Sequence, residues 1–119
     1  MDKRAKSVMH RKLTHAERVL EGLANNDFDK ITRNAETLLN LTKEAEWMVL
    51  KTPGYEVHSN EFRRKVEDVV ARAKEKNLDG AALGYVEMTL SCVRCHKYVR
   101  GVRMTRLETS QTQNAVVLK

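Results

Sequence analysis

Apolar residues recur at intervals of three and four positions along the first half of the chain, a spacing that places them on one face of a helix. The first run is Met9, Leu13, Ala16, Leu20 and Leu23. The second run, which includes one threonine, is Phe28, Ile31, Ala35, Leu38, Thr42, Ala45 and Val49. The polar segment 25–27 lies between the runs and offers side chains that cap helices. The pattern predicts one helix from about Lys3 to Asn25 and a second that ends between Trp47 and Leu50.

The pattern breaks at residues 51–55, where Pro53 and Gly54 stand side by side. Proline followed by glycine favours a turn, and the residue before a proline avoids helical geometry. We therefore expect a third helix that begins after a cap at Ser59 or Asn60. Its predicted apolar face is Phe62, Val66, Val69 and Ala73.

A short connection at residues 77–80 follows, in which Asp79 is the predicted cap of a fourth helix that ends near Val102. Four helices joined by one medium loop and two short ones predict an all-α fold, an antiparallel up-down-up-down four-helix bundle. The sequence after the fourth helix differs, because a polar stretch is followed by a short apolar run. We therefore divide the chain into a helical bundle over residues 1–103 and a C-terminal tail over residues 104–119.

Composition narrows the range of partners. The 119 residues suffice for one domain with its own core, and the formal net charge of +6 favours an acidic partner or an anionic ligand. Lysine and arginine are mixed with acidic residues along the chain, as on a solvated helix surface, and no groove-reading motif is present, so we do not expect nucleic-acid binding. No apolar run approaches the length of about eighteen residues that a membrane span needs.

Both cysteines of the chain lie in one segment, Cys92-Val93-Arg94-Cys95-His96. On a helix, positions i, i+3 and i+4 share a face, so both thiols and the imidazole project together. Covalent haem attachment needs this arrangement, because two sulfurs form thioethers with the vinyl groups while the adjacent imidazole binds the iron. We therefore predict one covalently bound haem c, with Cys92 and Cys95 as attachment points and His96 as the proximal iron ligand.

The motif has three other interpretations besides haem attachment. Zinc would need four protein ligands, and the segment supplies three with no second pair at finger spacing. A thioredoxin-like redox pair would start a helix after a strand, and no strand pattern precedes the motif. A chance CxxCH in a purely structural helical module is the third alternative, and it predicts a protein without haem.

The haem motif also predicts where the protein works. Thioether attachment in bacteria takes place outside the cytoplasm, so we expect a periplasmic protein. The first six residues lead directly into the amphipathic run and hold no apolar signal core. We therefore expect that an export signal has been removed.

A helical pattern with CxxCH near the end of its fourth helix resembles the cytochrome c′ family and its low-spin, methionine-ligated relatives. In that family an arginine commonly follows the haem histidine by four residues, and Arg100 occupies that position after His96. The aromatic residue that often precedes this arginine is replaced by Val99, and Tyr98 stands one place early. The resemblance spans roughly residues 5–103 as a pattern of helices, and the polar tail departs from it.

The resemblance implies that the first helix supplies the distal side of the haem, with methionine in electron carriers and a bulky apolar residue in five-coordinate members. Met9 lies on the apolar face of that helix, whose start adjoins the end of helix four in an antiparallel bundle. We therefore predict Met9 as the distal iron ligand, a role for which its thioether sulfur is suited. Leu13 as a lid over an open iron, ligation by His10 or His15, and Met9 as an ordinary core methionine remain alternatives.

Several further residues have weaker predicted roles. Tyr85 lies two and three turns before Cys92 and His96 and is a candidate for lining the haem crevice. Four basic residues follow the motif and are candidates to pair with the haem propionates or with an acidic redox partner: Lys97, Arg100, Arg103 and Arg106. His58 is expected in a solvent-facing loop.

These features together predict a one-electron carrier rather than an enzyme. The sequence shows no nucleophile–base pair, no phosphate-binding glycine loop and no carboxylate pair brought together by its spacing. The alternative from a different class is a five-coordinate haem protein that binds NO or CO. A homodimer is a further expectation that the resemblance brings.

Overall fold

The computed structural model describes residues 3–46 and 52–118, and within them it contains four α-helices and no strand. The helices are α1 (Lys3–Ala24), α2 (Phe28–Glu46), α3 (Pro53–Lys74) and α4 (Leu78–Leu118). The all-helical prediction is therefore confirmed, and the arrangement is compatible with a four-helix bundle. The predicted end of the second helix, between Trp47 and Leu50, lies outside the described residues.

One hydrophobic core joins the four helices. Its fully buried members include Val19, Ile31, Leu38, Val66, Val69 and Met88. The predicted apolar face of α3 is confirmed, since all four of its residues are buried. Burial of a large apolar side chain contributes about 1.5–3 kcal/mol, so this core is the main source of stability.

The apolar face predicted for α1 is partly wrong. Val8 and Val19 are fully buried, whereas Leu13 and Leu20 are 58% and 51% exposed. The reason lies in the packing of α1, which contacts α2 extensively but makes few contacts with α4. A cleft therefore separates the first and last helices, and Leu13, which lines the cavity there, is left uncovered.

The outer face of α4 is apolar too. Leu83, Val86, Leu90 and Val93 recur at intervals of three and four positions and are each about half exposed or more. The opposite face of the same helix carries the buried residues Ala81 and Met88.

The two short turns of the bundle are built alike. The carboxylate of Asp27 accepts a hydrogen bond from the backbone N–H of Lys30 at 3.0 Å, which confirms the predicted cap of α2. At the equivalent place before α4, the side-chain oxygen of Asn77 accepts from the backbone N–H of Gly80 at 2.9 Å. The predicted cap at Asp79 is therefore wrong, because Asn77 already satisfies the free N–H group at this end of the helix.

The backbone of the two turns matches as well. Asn26 and Lys76 both adopt left-handed geometry, with φ of 55° and 61°. The N–H of Asn26 bonds to the carbonyl of Leu23 at 3.3 Å, and that of Lys76 bonds to the carbonyl of Ala73 at 3.0 Å. The turn from α1 to α2 and the turn from α3 to α4 are thus equivalent in backbone geometry and in capping.

The third helix begins earlier than its pattern predicts. It starts at Pro53, and Thr52 is its N-cap, with a side chain that accepts from the backbone N–H of Tyr55 at 3.1 Å. Proline suits this position because the first N–H groups of a helix have no intrahelical partner. The prediction of a start after Ser59 or Asn60 is therefore wrong, and most of the predicted turn belongs to the helix.

The fourth helix is longer than expected. It does not end near Val102 but runs on to Leu118, so residues 104–118 continue α4. No proline interrupts this segment, and Gly101 lies within the helix. The division into a bundle and a tail at residue 103 remains a prediction. Over the described parts of the chain, no helix is both long and apolar enough to cross a membrane.

Candidate functional site

A cavity of about 360 Å³ lies at the haem motif, lined mainly by α1, α3 and α4 with one residue from α2. This volume falls within the range of about 300–1,000 Å³ that is typical of small-molecule and cofactor sites. Its lining is mostly apolar, with Ala16, Leu38 and Phe62 among the residues that contribute. The site thus combines apolar walls with a few polar groups, as cofactor pockets do.

The α4 wall of the cavity carries the motif. Cys92, Cys95 and His96 all line it, since helical positions i, i+3 and i+4 share a face. The thiols are half-buried and form no disulfide. Burial raises the pKa of both thiols above the usual range, so both sulfurs keep their protons at neutral pH.

The imidazole on this wall is neutral at the same pH. Partial burial lowers the pKa of His96, and the positive charges of Lys12 and Arg100 lower it further. A neutral imidazole has a nitrogen lone pair available to a metal. The motif therefore presents two protonated thiols and one potential nitrogen ligand to the same cavity.

The α1 wall carries the predicted distal candidates. Met9, Leu13 and His10 all line the cavity. Met9 is half-buried and packs beside Val8 and Leu41, whereas His10 is exposed. The structure thus brings Met9, His10 and Leu13 to the same cavity as the motif.

Other predicted residues lie away from this cavity. Arg100 is exposed and does not line it. Tyr85 packs against the main core, and burial raises the pKa of its hydroxyl. His15 directs its Nδ1 to the side-chain oxygen of Asn34 on α2, at 2.8 Å. Arg103 and Arg106 have side chains outside the described part of the molecule.

His58 was predicted in a solvent-facing loop, and this prediction is wrong. It lies within α3, and its ring centroid is 5.1 Å from that of Tyr98 on α4. Its Nδ1 is buried and has no hydrogen-bond partner among the described residues. Because α3 starts at Pro53, the loop that would have exposed this side chain does not exist.

Sequence reasoning missed a charged residue that lines the cavity. Lys12 lines the cavity, and its Nζ lies 4.3 Å from the ring centroid of Phe62. Its charge lowers the pKa of both thiols and of His96. The available signal was its position one turn after Met9, on the apolar side of α1.

The α3 wall was also missed by sequence reasoning. Tyr55 and Ser59 line the cavity and are themselves buried. Both belong to the first turns of α3, which the sequence pattern assigned to a turn and to a cap. The error in the start of the helix therefore concealed this part of the site.

An ion pair closes the α3–α4 contact beside the motif. Arg94, the third residue of the CxxCH motif, donates a hydrogen bond to the carboxylate of Glu61. This hydrogen bond and the guanidinium charge hold the pKa of Glu61 below its usual value, against a smaller effect of burial. The motif segment is thus tied to α3 through this ion pair.

The site fits a cofactor that brings its own metal. Among the described residues, no three His, Cys, Asp or Glu side chains are placed to hold a metal ion by themselves. The thiols and the imidazole instead face apolar walls, which is the setting a largely apolar macrocycle needs. The residues present therefore suit haem.

No family model, curated protein or solved structure gives a significant match to the chain.

Proposed function

We propose that the protein is a monohaem c-type cytochrome, similar to the low-spin cytochrome c′ relatives, that carries one electron at a time. The observation that supports it most is the shared cavity, which Cys92, Cys95 and His96 line from α4 and Met9 lines from α1. In this proposal the helices form an antiparallel up-down-up-down bundle, and the cleft between α1 and α4 receives the haem.

Two thiols would attach the cofactor. Cys92 and Cys95 would each hold the haem through one thioether bond to a vinyl carbon, and the thiol hydrogen would pass to the other vinyl carbon. Atoms and electrons balance without an added oxidant. Because burial keeps both thiols protonated, they resist unwanted thiolate chemistry until the cofactor arrives.

Two residues would bind the iron. His96 would bind it through an imidazole nitrogen from α4, and Met9 would bind it through its thioether sulfur from α1. Bound haem would supply reversible exchange of one electron between ferrous and ferric iron. With both axial positions filled by the protein, no site remains for a substrate, so we infer a carrier rather than an enzyme.

A second candidate function follows from one observation. Leu13 lines the same cavity as Met9 and is 58% exposed, so an apolar side chain is available to cover an open iron. In that arrangement Met9 stays in its contact with Val8 and Leu41, and the protein binds NO or CO at a five-coordinate iron.

Location and partners complete the proposal. Covalent attachment implies maturation in the periplasm after export. Lys97 and Arg100 are exposed beside the motif and suit an acidic redox partner. A homodimer is part of the proposal as well, and sedimentation of the purified protein at several concentrations would measure it.

The test is an absorption spectrum of protein matured in a host that exports and attaches haem. A low-spin spectrum, with the weak long-wavelength band of sulfur-ligated ferric iron and no response to CO, supports the electron carrier. A high-spin spectrum that shifts with CO supports the gas-binding alternative. Absence of haem would defeat both. Intact mass under denaturing conditions, compared with that of Cys92→Ser/Cys95→Ser, shows whether attachment is covalent.

A further inference from the structure

We propose that Lys12 supplies the positive charge that sets the reduction potential of this site. The inference rests on the proposed haem function and deepens it, because it assigns a role to a residue that neither holds the cofactor nor ligates iron. Lys12 exchanges no electron itself. The electron passes between the site and a one-electron redox partner.

The position of Lys12 is the first observation. It lines the cavity together with Cys92, Cys95 and His96, and it is half-buried. Met9 precedes it by one helical turn on α1. Its ammonium therefore lies at the same cavity as the proposed iron ligands, unlike the exposed basic residues that follow the motif.

The ring of Phe62 anchors this ammonium. The Nζ atom of Lys12 lies 4.3 Å from the ring centroid, within the distance of about 6 Å at which a cation is attracted by an aromatic face. Phe62 is 4% exposed, so the ring is fixed by the core. The charge is thus held against α3 at the edge of the cavity.

The lining of the cavity is the third observation. Of the described residues that line the cavity, Lys12 is the only lysine or arginine. Cys92, Cys95 and His96 line the same cavity, so the ammonium charge of Lys12 lies at the cavity of the residues that would hold the haem.

A fixed positive charge at this place favours ferrous over ferric iron, because the ferric form carries one more positive charge. At a separation of about 10 Å and an effective dielectric constant of about 20, one unit charge changes the ferrous-to-ferric ratio by about tenfold. For a one-electron couple, a tenfold change in that ratio corresponds to about 59 mV. The reduction potential should therefore fall when the charge is removed.

The experiment is a spectroelectrochemical titration of haem-loaded variants. We expect Lys12→Met to lower the ferrous-to-ferric ratio at a fixed potential by up to about tenfold, and Lys12→Arg to stay near the wild type. Lys6→Met is the matched control, because Lys6 is exposed on the same helix and the change in net charge is identical. It should shift the ratio much less. Circular dichroism and the ferric spectrum establish that fold and ligation are unchanged.

Several outcomes would overturn the inference. If Lys12→Met and Lys6→Met have equal reduction potentials, the position of the charge has no effect. If the reduction potential of Lys12→Arg falls as well, the charge is not the cause. Lys12→Gln is the second uncharged variant. Loss of haem from both uncharged variants, with Lys12→Arg loaded, assigns Lys12 to attachment instead. Wild-type protein without haem defeats the proposed function itself, which distinguishes that failure from an unmoved potential in a loaded variant.

Discussion

The hydroxyl groups of Thr52 and Tyr98 lie 2.7 Å apart and join the start of α3 to α4, two residues beyond the motif histidine. We expect Tyr98→Phe to lower the free energy of unfolding by about 1 kcal/mol, the usual net value of such a hydrogen bond. The ring contact with His58 is retained in this variant. Denaturant unfolding measures the effect, and Thr52→Ser, which keeps a hydroxyl, should cost much less. Equal stability of Tyr98→Phe and wild type would contradict the prediction.

Position 54 requires glycine because the side chain of Tyr98 occupies the space that a Cβ atom would need. A Cβ at this position would lie 2.5 Å from Cζ and 2.7 Å from Cε2 of Tyr98. We expect Gly54→Ala to displace the ring and to destabilise the protein by about 1–3 kcal/mol. In a Tyr98→Ala background the same change should be neutral or slightly stabilising, because alanine favours helix over glycine. A penalty that persists in this background would show that the clash is not the cause.

The matched turns predict matched mutational effects. Asp27 and Asn77 each accept a hydrogen bond from a free backbone N–H at the start of a helix. Replacement of either by alanine should cost about 1 kcal/mol of unfolding free energy. Asp27→Asn and Asn77→Asp keep the acceptor and should be nearly neutral. Thermal unfolding of the four variants measures these effects, and an alanine variant as stable as the wild type would contradict the prediction.

Met9 is the residue on which the two proposed functions differ. If its sulfur ligates the iron, Met9→Ala should convert a low-spin, CO-insensitive protein into a high-spin protein that binds CO. Met88→Leu is the control, because Met88 is buried in the core and leucine is of similar volume. It should leave the spectrum unchanged. A Met9→Ala spectrum identical to that of the wild type would remove Met9 from the iron.

The Glu61–Arg94 pair predicts a difference in acid stability. The hydrogen bond from Arg94 lowers the pKa of Glu61 in the folded protein. The ion pair therefore stabilises the fold fully above the pKa of 4.5 that Glu61 has in the unfolded chain, and this stabilisation is lost as the pH falls further. We expect Glu61→Gln to be less stable than wild type at pH 7, by at most about 1 kcal/mol for a partly exposed pair. Urea unfolding at several pH values should show the two proteins converging in acid. A constant difference would exclude titration of Glu61 as the source.

Periodicity predicted the helices well where a face is buried by neighbours on both sides. The face of α3 from Phe62 to Ala73 is an example. It failed on α1, because Leu13 and Leu20 recur at helical spacing just as Val8 and Val19 do, and only the packing of the neighbouring helices decides which pair is buried. The sequence of a helix does not show which of its two apolar faces another helix covers.

Helix starts were predicted less well, since several residues near each start are equally good caps. Asparagine and aspartate are both good caps, so Asn77 and Asp79 were equal candidates, although only Asn77 accepts the capping hydrogen bond. Pro53 is as compatible with the first turn of a helix as with a loop. Lys12 was missed for a related reason. A lysine on a helix is usually solvated, and its burial here depends on Phe62, which lies in another helix.

The cleft between α1 and α4 has a consequence for chain entropy. The turns from α1 to α2 and from α3 to α4 are short, whereas Met9 and His96 lie far apart in the sequence. A haem bonded to both would act as a crosslink that closes a loop of about 90 residues, for which the chain-entropy model gives about 4–5 kcal/mol of stabilisation. The bound haem would then crosslink the first helix to the last, and its loss should increase local unfolding of α1 before that of the other helices.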